Sequence, residues 1–188
     1  MAGDAEATRR RLIAAAIEEF AAYGLAGGRV DRIAAAAKAN KAQIYHYFGS
    51  KDALFDAAFE AIVTEIITDV PPDPDDIVGY AGRLFDSYEQ RPEVRRMAAW
   101  RRLERGDAHP PLEPIVASNH ATIRAIAAAQ EAGRISDRFA PVDLLALVLV
   151  IAAMWPALTH ELAAEARTRS QDHRRKVITD AVSALTAV

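Results

Sequence analysis

Apolar side chains return at helical spacing from one end of this 188-residue chain to the other. Ile13, Ile17 and Phe20 recur at i, i+4 and i+7. Leu54/Phe55, Ala58/Phe59, Ile62/Val63 and Ile66/Ile67 carry the same period through a later stretch. No sustained alternation of apolar and polar residues interrupts it, so the chain reads as all-α with about nine helices and no strand. Heavy use of alanine agrees, because alanine costs least in a helix. The periodic segments fall at about 4–23, 30–38, 41–48, 51–70, 75–90, 92–105, 113–131, 141–164 and 170–187. Gly24 stops the first, Asn40 is a good N-cap for the third, and Ser50 caps the fourth. The rigid stretch "PPDPDD", residues 71–76, is the clearest break. With 51% apolar residues the chain can bury a real core without staples, and it has no cysteine to make them.

Charge is unevenly spread. Residues 1–51 carry eight Lys/Arg against five Asp/Glu, while residues 52–188 carry fifteen against twenty-one. A small basic head thus precedes an acidic body, which divides the chain at 1–51 and 52–188, with the helix at about 51–70 connecting them. Within the head, residues 41–48, "KAQIYHYF", have an unusual wheel at 100° per residue. Ile44 and Phe48 fall together as a buried spine, opposite Ala42, Gln43 and His46. Tyr45 and Tyr47 lie on the flanks with Lys41 near one of them. Taken singly, the tyrosines are boundary packing and the lysines a solvated face. Together they suit a helix in the DNA major groove, where a small residue permits close approach and Gln pairs with adenine. Hydroxyls and ammoniums then meet phosphates. The short preceding helix and the few residues joining it to this one fit a helix-turn-helix.

The run "VDRIAAAAKANKAQIYHYFGSKDALFDAAF", with "RLIAAAIEEFAAYG" before it, resembles the N-terminal domain of the tetracycline-repressor (TetR) family of transcriptional regulators. The resemblance covers about residues 8–60. It implies a homodimer that reads a near-palindromic operator through its third helices, and a C-terminal domain that binds a small-molecule effector. By position, Lys41, Ala42, Gln43, Tyr45, His46 and Tyr47 would face DNA, and Lys51 would reach a phosphate. The chain departs from the family pattern at Lys38, where glycine is usual, and at Asn40, where Ser or Thr is usual. In "GGRV" only Gly28 is a plausible cap for the second helix. Lys38 is therefore expected either in a left-handed conformation at some strain or in a slightly different turn, and Asp31 would repel a nearby phosphate.

In the body, "LLALVLVIAAMW" is apolar all round and reads as a helix buried on most sides. With the last helix it offers a dimer interface at Leu144, Leu147, Ile151, Val177, Ile178, Ala181, Val182 and Leu185; completing the monomer core is the alternative. A ligand cavity would draw on Phe85, Tyr88, Met97, Trp100, Asn119, His120, Met154 and Trp155, residues that ordinary core packing would use equally well. Pro156 should kink its helix. The basic stretch at 95–105 reads as an exposed face with Met97, Trp100 and Leu103 turned inward. His160-Glu161 lacks the second histidine of a zinc-protease helix, and no nucleophile elbow, phosphate loop or dinucleotide fingerprint occurs. No catalytic residue, metal or cofactor is expected. The longest apolar run, Leu144–Trp155, is too short to span a bilayer, and the N-terminus shows no signal pattern. A cytoplasmic, ligand-responsive repressor acting on double-stranded operator DNA is the expectation. A helical small-molecule-binding protein without DNA binding, or a small all-α enzyme, is the alternative.

Overall fold

The computed structural model describes residues 2–106, 110–166 and 168–188. Among them stand ten α-helices and no strand: α1 (Ala2–Gly27), α2 (Val30–Ala36), α3 (Lys41–Phe48), α4 (Lys51–Asp69), α5 (Ile77–Gln90), α6 (Pro92–Arg105), α7 (Glu113–Glu131), α8 (Pro141–Ala152), α9 (His160–Ala166) and α10 (Gln171–Thr186). They form two units, Met1–Glu65 with Arg91–Leu112, and Ile66–Gln90 with Glu113–Val188.

The first unit is built on α1. Leu12, Ala16 and Phe20 recur along one side of it and are fully buried with Ile33, Ile44, Leu54 and Phe55. The rings of Phe20 and Phe55 meet edge to face at 5.2 Å, a favoured aromatic geometry. Helix α1 kinks at Gly24, whose φ of 70° and ψ of −178° suit glycine alone. A Cβ there would lie 2.8 Å from the Glu104 carboxylate and 2.9 Å from the Trp100 ring, so α6 comes very close to the chain at the kink. Trp100 Nε1 donates to the Ala21 carbonyl at 3.3 Å. Glu104 accepts from the Leu25 and Ala26 amides, which the kink has released from the helix.

One expectation for α6 is overturned. Leu103 does not turn inward; it is 71% exposed. The inward line runs instead through Val94, Met97, Arg101 and Arg105, and Leu103 stands half a turn away from it. Two arginines take apolar places because phenylalanine faces accept them. The guanidinium of Arg101 lies over Phe59 and that of Arg105 over Phe55, each at 5.3 Å. Arg105, only 3% exposed, also donates to the Asp52 carbonyl at 2.9 Å and lies 3.4 Å from the Asp56 carboxylate.

The second unit gathers α5, α7, α8 and α10. Leu84, Phe85, Ile126, Leu144, Val148, Ile178 and Val182 form its core. Gly82 of α5 leaves room for Arg175 of α10, whose Nη2 would lie 2.7 Å from an added Cβ. Arg175 pairs with Asp86 at 2.8 Å, and Arg174 with Glu89 at 2.6 Å. The single helix expected over 141–164 is three elements: α8, a 3-10 turn at Trp155–Ala157, and α9. Pro156 is the cause. Its ring would collide with the carbonyl four residues back, and Ala152 is the last residue of α8. Nor is α8 buried on most sides. Leu144, Leu145, Val148 and Ala152 face inward, while Val142, Ala146 and Val150 face out. No helix among the described residues is long and apolar enough to cross a membrane.

Candidate nucleic-acid interface

Helix α3 is short, so its ends decide whether it forms at all. At its start the Asn40 side chain accepts from the Gln43 amide at 2.9 Å, and the Gln43 side chain accepts from the Asn40 amide at 3.0 Å. Asparagine thus does here what serine or threonine would do, and satisfies two orphan donors reciprocally. At its end Gly49 takes φ 78°, and Ser50 caps α4 by accepting from the Ala53 amide at 3.0 Å. Ile44, fully buried, pins the helix to the unit. Phe48 is only half-buried and is covered by the Arg9 guanidinium at 5.6 Å.

Outward from that pin, Lys41, Ala42, Tyr45 and His46 are exposed, with Gln43 and Tyr47 half-buried on the borders. His46 and Tyr47 meet edge to face at 5.2 Å. All six residues expected at DNA on this helix therefore share its open side or rim. Their present partners matter. Lys41 is paired with Asp31 at 3.0 Å, and the hydrogen bond from Lys41 to Asp31 raises the lysine pKa above its ordinary value. Gln43 spends its oxygen in the capping box, so a bidentate pair with adenine would require it to leave the box. Lys51 donates to the carbonyls of Gly28 at 2.8 Å and Ala26 at 3.3 Å.

The turn before α3 contains Lys38 at φ 52°, the left-handed one of the two conformations considered for it. The Ala39 amide reaches back to the Ala34 carbonyl at 2.9 Å, closing the end of α2 as a glycine-type cap does. Arg11 of α1 adds a hydrogen bond to the Ala37 carbonyl at 3.2 Å. The start of α2 is held by a residue that sequence analysis does not single out. Its N-cap residue, Arg29, contributes no side-chain cap. The carboxylate of Glu19, 9% exposed, accepts from the Arg29 amide at 2.8 Å and pairs with Arg32 at 2.5 Å. Burial alone would raise the Glu19 pKa; the hydrogen bonds from Arg32 and the Arg29 amide outweigh it and hold the carboxyl below its usual value. Nothing within one helical turn of Arg29 announces this cap.

Two family profiles match the chain. "Bacterial regulatory proteins, tetR family" covers residues 12–58, which includes this whole arrangement. "Tetracyclin repressor-like, C-terminal domain" covers residues 76–183. The chain belongs to the TetR family. Among curated relatives, the HTH-type transcriptional repressor SCO4008 of Streptomyces coelicolor is 41% identical over 162 residues, spanning 86% of this chain and 84% of that protein. The HTH-type transcriptional repressor NicS of Pseudomonas putida is 30% identical over 112 residues, 56% of this chain and 53% of its own length. Among solved structures, the transcriptional regulator SCO4942 of Streptomyces coelicolor superposes with a TM-score of 0.85 at 39% identity, over 95% of this chain and 98% of that one. The protein is thus a TetR-family, ligand-responsive, DNA-binding transcriptional regulator.

In this TetR protein the residues considered for an effector cavity are shared between the two units. Met97 and Trp100 lie on α6 in the first unit, Met97 fully buried; Phe85, Tyr88, Asn119, His120, Met154 and Trp155 lie in the second. Phe85 is core, His120 is exposed, and Trp155 lines a cavity with Pro156, Leu158 and Arg174. Of the residues considered for a dimer interface, Leu144, Ile178 and Val182 are fully buried within one chain. Leu147, Ile151, Val177 and Ala181 are half-buried, as is Leu185, and they border the outward faces of α8 and α10.

Proposed function

We propose that this TetR-family regulator is a homodimeric repressor that occupies a near-palindromic operator and leaves it when a small molecule binds. It acts by binding rather than by catalysis, and it works in the cytoplasm, where operator DNA is found. Residues 1–51 are the DNA-binding head, and residues 52–188 bind effector and partner. The reading rests above all on α3, whose open side presents Ala42, Tyr45 and His46 with nothing from the first unit covering them. Ala42 permits close approach, His46 reads a base edge, and Tyr45 and Tyr47 meet phosphates on either side. Lys41 serves a phosphate once it exchanges Asp31 for it. Lys51 has three N–H donors, two of them on carbonyls, and the third, without an acceptor among the described residues, would serve a phosphate.

The outward faces of α8 and α10 support the dimer. Val142, Ala146 and Val150 on one helix, and Val177, Ala181, Ala184 and Leu185 on the other, form stripes that the chain's own core leaves at least partly uncovered. Apolar stripes left open in this way suit an interface.

The test is binding of the full chain to DNA from upstream of its own gene, at several salt concentrations. His46→Ala should weaken the best site by roughly 1–3 kcal/mol and relax preference at one base pair per half-site. Lys51→Ala should weaken all sequences alike and flatten the salt dependence by about 0.9 for each phosphate it no longer neutralises. Should both variants bind as the wild type does, α3 is not the reading helix.

A further inference from the structure

Between Gly28 and Lys51 the chain carries five Lys/Arg and a single carboxylate, Asp31. On a surface that meets phosphates, a carboxylate opposes binding unless it gains a partner there. Asp31 stands in the first turn of α2, where the helix dipole favours a negative charge. The buried Glu19 carboxylate already serves that end of α2 through the Arg29 amide, so the helix does not depend on Asp31.

The Asp31 side chain is 72% exposed, and both of its oxygens face the Lys41 ammonium, at 3.0 Å and 3.3 Å. Lys41 is the first residue of α3, and the leading residues of a recognition helix are those that reach base edges. The hydrogen bond to Asp31 is the main cause that raises the Lys41 pKa, and Tyr45, one turn along α3, adds to it. The pair therefore lies on the side of α3 that carries Tyr45, with Ala42 and His46 exposed beside it. When Lys41 exchanges Asp31 for a phosphate, the carboxylate remains at the groove as an acceptor without a donor, which is costly. The major groove offers N–H donors on two bases alone, cytosine N4 and adenine N6. Adenine N6 lies between two acceptors, N7 and the thymine O4, which repel a carboxylate. Cytosine N4 has such a neighbour on one side only, the guanine O6.

We propose that Asp31 is a specificity-determining residue that accepts a hydrogen bond from N4 of one cytosine in each half-site. Guanine and thymine at that place present acceptors to the carboxylate and are rejected. The base pair is distinct from the one that His46 reads. The proposal deepens the operator reading by giving one of its base pairs an identity, and it rests on that reading.

The full chain is allowed to select from a pool of randomised duplexes, and isotherms are then measured on the selected site and its single-base-pair variants. The wild type should require C·G at one pair per half-site, losing at least about fivefold in affinity for any other pair there. Asp31→Asn keeps a short polar group in the first turn of α2, but its amide pairs bidentately with adenine N6 and N7. It should move that one pair to A·T and leave the rest of the site unaltered. Asp31→Ala should lose the preference at that pair alone, and bind the variants lacking C·G no less tightly than the wild type does. The proposal is overturned if Asp31→Asn selects the same bases as the wild type. It is equally overturned if Asp31→Ala keeps the requirement for C·G and merely binds every sequence more tightly. A wild type that selects no site at all would defeat the operator reading and this proposal with it, a result distinct from either.

Discussion

Lys38 holds a left-handed backbone that costs an L-residue roughly 1–2 kcal/mol and glycine nothing. Glycine in turn loses more freedom on folding, by about 0.5–1 kcal/mol. Lys38→Gly should therefore stabilise the first unit by a net of about 0.5–1 kcal/mol, read from urea melts, and unaltered stability would mean that the turn is not strained. Glu19 gives a pH-dependent counterpart. Its folded pKa lies below the ordinary value of 4.5, so its contribution is fully present above about 4.5 and is lost as pH falls through the folded value. Glu19→Gln should cost roughly 2 kcal/mol at neutral pH, the worth of a hydrogen bond to a charged group. The deficit should narrow in acid. A deficit equally large at pH 3 would show that the loss is not one of charge. These two residues also mark how far a sequence can be read. The Asn40 cap is legible because it acts within a few residues, while the Lys38 conformation stands in sequence as one of two choices, suggested by the glycine usual at that place in the family. The Glu19 cap is not, since ten residues separate it from Arg29 and only the fold of α1 against α2 joins them. The inward turn of Arg101 and Arg105 is hidden for a related reason: a charged residue gives no sign in sequence of the ring it will cover.

Helix positions are largely legible, because caps, glycines and prolines punctuate this chain openly; their surroundings are less so. Gly24 breaks the helical backbone of α1 where its sequence predicts a stop, yet its second task of admitting Trp100 and Glu104 depends on α6, some eighty residues on. Gly24→Ala tests both tasks together. The substitution forces an alanine to φ 70° and sets its Cβ within 3 Å of two side chains. A loss of about 3 kcal/mol is expected from strain plus overpacking, measured by denaturant melts. A loss below about 1 kcal/mol would mean that α6 yields easily at this point. Pro156, expected to kink its helix, terminates it instead, since the packing of α8 does not carry the helix past the clash. The exposed side of α8 is hidden in sequence for the opposite reason. A helix apolar all round looks the same whether its second face meets its own core or another copy.

The last prediction belongs to the molecule as an assembly. If two chains join through the outward stripes of α8 and α10, the interface is isologous and every substitution acts twice about the two-fold axis. Val150 is the informative position, because at 67% exposure it contributes little to the core of its own chain. Val150→Glu should leave the helical signal and the folded monomer intact, yet place an uncompensated carboxylate from each chain in an apolar interface, which costs several kcal/mol. Sedimentation should then report monomer at concentrations where the wild type is dimeric. The operator supplies a second readout. Two linked heads bind a near-palindrome more tightly than one by the effective concentration of the second, a factor of about 10²–10⁴, so the monomeric variant should lose affinity by that order while keeping half-site preference. Ile178→Glu is the contrasting variant. Ile178 is fully buried in one chain, and its substitution should unfold the second unit rather than separate two of them. A Val150→Glu protein that remains dimeric would move the interface off α8. One that turns monomeric yet binds the full operator undiminished would break the link between dimer and repression.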